Sequence, residues 1–172
     1  MTTFYRVDRV NKYKDGDVIE LTKPDSIPPQ FSKIIDMIAP LGLSPHGHRY
    51  FAAPVPAGHE NVAIDFALEL FRRSFHNSRP SRYECIFAWD CLENAQLFRK
   101  QLLTEFPDAT IYRVSTESKN IHRGDMSILS NDKTNLVYAE ILNMYWEGRT
   151  YQEKPFWEFL LPLPVTIHEI IK

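Results

Sequence analysis

Glu158 is the residue most open to a chemical reading. It lies in Pro155-Phe-Trp-Glu-Phe-Leu-Leu161, a run with strand character. Side chains alternate along a strand, so Phe156, Glu158 and Leu160 share one face and Trp157, Phe159 and Leu161 the other. Both faces are apolar except at the one carboxylate. An acid among large apolar neighbours loses hydration unless a donor or cation meets it, and such positions are often functional. Arg6, in Phe4-Tyr-Arg-Val7, is the cation expected opposite it. Its planar fork of donors suits phosphate or carboxylate, and the flanking rings suit a heterocycle. A third stretch, Arg79-Pro-Ser-Arg-Tyr-Glu-Cys-Ile-Phe-Ala-Trp89, offers Ser81, Arg82 and Phe87.

Other reactive residue types carry less. His46, His48 and His59 have no carboxylate or thiol at metal-ligand spacing, so no metal is expected. Cys85 and Cys91 are too few for a disulfide framework and have no argued His or Asn partner, so a thiol nucleophile is not expected. Arg72, Arg73, His76, Arg79 and Arg82 form a basic cluster with interleaved aromatics. It reads either as a solvated helix end or as a phosphate or nucleic-acid site. With a formal net charge of -2 over 172 residues, no global basic field points to nucleic acid. No leader and no bilayer-length apolar run is read, so a cytoplasmic protein is expected, without excluding leaderless delivery into another cell.

The elements that must position these groups read as one α+β domain over residues 1–172. Strands are expected at Thr3–Val10, Val18–Leu21, Cys85–Trp89 and Ala109–Val114, and at the two terminal runs either side of Pro162-Leu-Pro164. Helices are expected at Gln30–Ile38 and at Asn61–Phe75, the latter with an Ile64, Leu68, Phe71, Phe75 stripe. Another is expected after Asp90, with Glu93 completing a capping box and Leu92, Ala95, Phe98 and Leu102 buried. A last helix spans Lys133–Trp146, closed by Gly148, with Tyr145 and Trp146 in the core. Ala39–Gly58 reads as a long loop, and Gly124–Leu129 as a turn running into a short strand.

In this order the pieces resemble the ADP-ribosyltransferase fold, in the broad sense that includes poly-ADP-ribose polymerases and mono-ADP-ribosylating toxins. Arg6 looks like the Arg or His of that family's first core strand. Ile86-Phe-Ala-Trp-Asp-Cys-Leu-Glu-Asn-Ala95 looks like its middle strand and helix, with Ala95 the small helix residue. Trp157-Glu-Phe-Leu-Leu161 looks like the strand carrying the catalytic Glu. The family's middle position is a Tyr, or a Ser in a triplet. Phe87 stands where the Tyr would be and Ser81-Arg82 is the nearest serine, so Ser81, Arg82 and Phe87 share that role. The second Glu of the arginine-modifying branch would fall at Phe156, which disfavours modification of protein arginines.

The resemblance implies a split β-sheet core and an enzyme that uses NAD as substrate, releasing nicotinamide and passing ADP-ribose to a protein or nucleic-acid acceptor. Glu158 and Arg6 would be catalytic, and Arg6, Ser81, Arg82 and Phe87 would bind NAD, with no metal. Effectors, toxins and phage enzymes have this size by analogy. Three rivals stay open: a non-catalytic protein- or nucleotide-binding module, an NAD glycohydrolase, and an RNA 2'-phosphotransferase.

Overall fold

The computed structural model describes residues 2–25, 27–54, 61–130 and 132–171. Its strands fall into two antiparallel sheets. The four-stranded sheet has the order β1 (Thr2–Asp8), β4 (Thr110–Thr116), β7 (Val165–Ile171), β2 (Val18–Ile19). The three-stranded sheet has the order β3 (Cys85–Ala88), β6 (Trp157–Pro162), β5 (His122–Asp125). A backbone bridge links them, in which Tyr5 and Trp89 exchange hydrogen bonds of 2.8 and 2.9 Å.

Why β6 is apolar on both sides follows from its place. It is the middle strand of three, and each of its faces meets a different core. Phe159 and Leu161 point between the sheets, where Phe4, Ile86, Tyr112, Val114 and Ile167 pack. Leu160 points the other way, toward α3 (Asn61–Phe75) and α5 (Asn135–Glu147), among Leu68, Ile141, Tyr145 and Trp146. Glu158 shares Leu160's face and is buried there. The far side of the larger sheet is covered by α4 (Leu92–Leu102), through Trp89, Ala95 and Ile111. The order of layers is therefore helices, sheet, sheet, helix, an α+β arrangement with antiparallel sheets as expected.

α5 is bounded as its sequence suggests. Thr134 caps its start, accepting from the Val137 amide, and Gly148 closes it at φ 69°. There the Gly148 amide donates to the Tyr145 carbonyl and the Arg149 amide to the Met144 carbonyl, a Schellman ending. Trp146 Nε1 donates to the Leu68 carbonyl at 2.9 Å, tying α5 to α3.

Several local expectations are corrected. No side chain caps α4: Cys91, not Asp90, holds the N-cap place, so the capping box does not form. The 122–129 segment runs in the reverse order, strand first and then a 3-10 turn at Met126–Ile128. Residues 39–54 are not all loop, since α2 (Pro45–Gly47) and a π-helical turn at His48–Ala52 lie within them, and 55–58 lie outside the described residues. The N-terminal helix is split into a 3-10 turn at Pro29–Phe31 and α1 (Ser32–Ile38). Phe75 lies 70% exposed, outside the stripe assigned to it. Among the described residues no helix is long and apolar enough to cross a membrane.

Candidate functional site

Glu158 sits on a cavity of about 520 Å³ whose wall also includes Arg6, Asp65, Arg82, Phe87 and His46. The cation that meets it is Arg82, not Arg6. Arg82 Nη1 donates to Glu158 Oε1 at 2.7 Å, while Arg6 Nη2 donates to Asp8 Oδ1 at 2.7 Å. The reason is local: Arg6 and Asp8 are two apart on β1, on one face, so the nearest carboxylate takes the guanidinium. Arg82 comes from the 3-10 turn Arg82–Glu84, which Ser81 caps by accepting from the Tyr83 amide.

Arg82 is the hub. Its Nε donates to Asp65 Oδ1 at 2.7 Å, and its Nη1 also donates to the Tyr145 hydroxyl. The Tyr145 hydroxyl in turn donates a hydrogen bond to Glu158 Oε1 at 2.7 Å. Its phenol is held protonated, since burial pushes its pKa well up and Glu158 adds to the rise over the opposing Arg82. Burial alone would raise the Asp65 carboxyl, but Arg82 and then His46 outweigh it and hold it below the usual carboxylate range. Burial works against the Arg82 charge too, yet Asp65, Tyr145 and Glu158 keep its pKa well above the ordinary arginine value. Glu158 Oε1 thus holds two donors, while among the described residues none reaches Oε2. One acceptor oxygen remains for a ligand on the cavity side.

His46 stands beside this hub. Gly47 makes the approach possible: a Cβ there would come within 2.4 Å of the Tyr83 carbonyl oxygen. The His46 ring stacks on Tyr50 at 4.4 Å and tilts against Phe87 at 4.4 Å. Its Nε2 lies 3.0 Å from Asp65 Oδ1. Burial, only partly offset by Asp65, lowers its pKa, so the imidazole is neutral at pH 7. A neutral ring beside an ionised Asp65 must donate from Nε2 and keep Nδ1 as an acceptor. That fixes the tautomer expected of a proton acceptor.

Of the other sequence-assigned residues, Phe87 lines the cavity and carries the Arg82 guanidinium on its face, 4.5 Å from the ring centre. Ser81 does not line it: its hydroxyl donates to Glu69 at 3.0 Å. The basic cluster is a solvated helix end only in part, with Arg79 exposed. Arg72 and Arg82 are buried, and Arg72 and Arg73 both bind Glu69. His48 bonds Thr22, away from His46, and His59 lies outside the described residues. Among the described residues, no three His, Cys, Asp or Glu side chains gather to hold a metal.

Sequence reasoning missed Asp65, Tyr145 and His46. Asp65 and Glu69 lie one helical turn apart beside Ile64 and Leu68, so α3 buries a mixed face of apolar and acidic residues. Two acids followed by Arg72 and Arg73 at helical spacing were the available signal. Tyr145 was read as core, which it is, but a buried phenol must also find a partner for its hydroxyl. His46 is weighed in the sequence only as a metal ligand, and nothing local marks it as a partner of Asp65.

A comparison with known protein families matches residues 54–172 to the family described as "Protein of unknown function (DUF2441)". The match includes Asp65, Arg82, Phe87 and Glu158, and begins after Arg6 and His46. No curated protein matches the chain.

Proposed function

We propose that this chain, which belongs to the DUF2441 family, binds NAD and transfers its ADP-ribose to an acceptor, with release of nicotinamide. The observation that carries this reading is the half-occupied Glu158: a buried carboxylate, fixed through one oxygen by Arg82 and Tyr145, with the other oxygen left for a ligand on the cavity. Breaking the bond between nicotinamide and ribose builds positive charge on the sugar, as in glycoside hydrolysis. A preorganised carboxylate beside a ribose hydroxyl stabilises that charge without reorganising. The two antiparallel sheets joined at Tyr5 and Trp89 support the split-sheet core that the resemblance implies.

In this scheme nicotinamide leaves with the electron pair of the broken bond. The acceptor's nucleophilic atom bonds the ribose carbon, and its proton passes to His46 Nδ1. Arg6 holds the ribose or pyrophosphate, Arg82 holds Glu158 in place, and Phe87 borders the nicotinamide. The test is incubation of the purified protein with NAD and an acceptor lysate, reading nicotinamide release and label transfer. Glu158→Gln should lower the rate by about 10²–10³ while the protein still melts cooperatively. Release without an acceptor would assign hydrolysis, and no release from folded protein under either condition would refute the enzymatic reading.

One observation favours a second reading, a nucleotide-binding module without transfer. The Phe87 ring is already engaged by Arg82 and His46, so it offers less free face to a nicotinamide than an uncovered Tyr would. Binding of NAD with no release of nicotinamide distinguishes the two.

A further inference from the structure

The cavity has a second group of charges, of opposite balance to the first. Around Glu158 stand two carboxylates, Asp65 and Glu158, and one cation, Arg82. Elsewhere the wall carries four cations, Arg6, Arg9, Lys12 and Arg49, against the two carboxylates Asp8 and Glu105. Asp8 is paired with Arg6, and Glu105 lies 3.6 Å from Arg49. Among the described residues no carboxylate reaches Arg9. Its Nη2 donates to the Tyr50 hydroxyl at 3.1 Å, and its guanidinium lies 5.3 Å from the centre of the Phe106 ring.

This wall also holds donors with nothing to donate to. Arg6 Nε, Arg9 Nε and Trp89 Nε1 are buried and unpartnered among the described residues, and all three residues line the cavity. The Tyr5–Trp89 bridge sets Trp89 beside Arg6. Buried donors without acceptors are rare, because each has lost its hydration with nothing in return. An indole N–H and a guanidinium N–H can only donate, so the missing partner is an acceptor. Burial and the nearby Arg49 and Arg6 charges lower the Arg9 pKa, as expected of a cation still lacking its anion.

We propose that Arg6, Arg9 and Trp89 form a phosphoryl-binding subsite in the cavity that Glu158 also lines. A terminal phosphate or a pyrophosphate bridge brings about two negative charges and at least three free acceptor oxygens, which matches both the surplus of cations and the unpartnered donors. A carboxylate would bring one charge and two oxygens. The phosphate belongs either to the NAD pyrophosphate, an assignment that rests on the reading above, or to the acceptor.

Calorimetric titration with inorganic pyrophosphate tests the subsite without any turnover. Binding is expected to the folded wild-type protein and to weaken as salt is raised. Arg9→Gln should weaken it about tenfold or more, and Arg9→Lys, which keeps charge but loses the fork, should restore part of the loss. Trp89→Phe keeps the ring and removes the N–H, and should weaken binding about threefold or more. Thermal melts confirm that each variant is folded. No pyrophosphate binding by wild type, or equal binding by folded Arg9→Gln and Trp89→Phe, overturns the subsite. A raised KM for NAD in Arg9→Gln assigns the phosphate to the donor, and an unchanged KM beside weakened pyrophosphate binding assigns it to the acceptor. Pyrophosphate binding without any nicotinamide release leaves the subsite standing and refutes the transferase.

Discussion

Two ionic clusters lie one turn apart on α3, built from the same residue types, and they do opposite things. The Glu69 cluster is closed. Arg72 Nε and Nη2 grip the carboxylate at 3.1 and 2.7 Å, Arg73 Nε adds a bond at 2.9 Å, and Ser81 supplies a fourth at 3.0 Å. The donors left over go to backbone carbonyls, Arg79 for Arg72 and Met37 and Ile38 for Arg73. Glu69 is wholly buried and is not part of the cavity wall. The Asp65–Arg82–Glu158 cluster is equally buried, yet among the described residues it leaves Oε2 of Glu158 and Nδ1 of His46 without protein partners. Burial and ion pairing alone do not mark a site. Leftover capacity facing a cavity does.

The sharpest way to break that comparison is to remove one charge from each cluster. Glu69→Gln leaves the buried Arg72 and the half-buried Arg73 with their shared carboxylate gone, and it loosens the tie from α3 to α1 and to the turn at Arg79. Breaking a buried pair from one side costs about 3–5 kcal/mol. Denaturant unfolding should record that loss, and any NAD turnover should fall only as far as the folded fraction falls. Glu158→Gln should do the reverse, since Arg82 keeps Asp65 and the amide oxygen can still accept from Tyr145. If Glu69→Gln unfolds no more readily than Glu158→Gln, the division into clamp and site is wrong.

Acid sharpens the comparison by acting on the scaffold behind the open cluster. His122 Nε2 donates to the Tyr145 carbonyl at 3.0 Å, and burial lowers its pKa to about 4. An unfolded chain takes up this proton near pH 6.5, the native state only near 4. Stability is therefore full above about pH 6.5, falls as the pH drops toward 4, and levels there, by up to about 3 kcal/mol from this residue. Urea unfolding of wild type and His122→Gln at pH 7, 5.5 and 4.5 checks it. The variant should lose less stability than wild type over that range, and parallel curves would remove His122 from the account.

How much of this was legible beforehand divides along the same line. The strand carrying Glu158, the α3 span and the α5 ending could be read because alternation, helical periodicity and a Gly148 stop are local properties. That Glu158 is held on a cavity wall was also legible, because one carboxylate in an apolar strand has few places to go. Its partner was not. Arg82 reaches Glu158 across 76 residues and Tyr145 across 13, and no spacing rule ranks Arg82 over Arg6 for that role. The acids of α3 went unnoticed for the same reason: Asp65 and Glu69 show no use by spacing alone until Arg82 and Ser81 arrive from the next segment. The capping box failed differently, since Asp90 and Glu93 had the right types at the right spacing but the helix starts one residue later.

The smallest expected effect tests how Tyr145 is aimed. Gly124 on β5 lies directly opposite Glu158 on β6. The Tyr145 ring occupies the space where its side chain would be, so that a Cβ on Gly124 would come within 2.3 Å of the ring. The sequence reads Gly124 as a turn residue, but its role is to let an aromatic ring lie flat on the strand and carry a hydroxyl to the carboxylate. Gly124→Ala should push that ring aside, costing about 1–3 kcal/mol through overpacking, less than Glu69→Gln. Because the displaced hydroxyl no longer holds Oε1, NAD turnover should fall further than the folded fraction does. Tyr145→Phe, which removes the hydroxyl without crowding, should reproduce the loss of turnover. If Gly124→Ala is destabilised but turns over normally per folded molecule, Tyr145 belongs with the closed cluster as scaffold, and the open site reduces to Glu158, Arg82, Asp65 and His46.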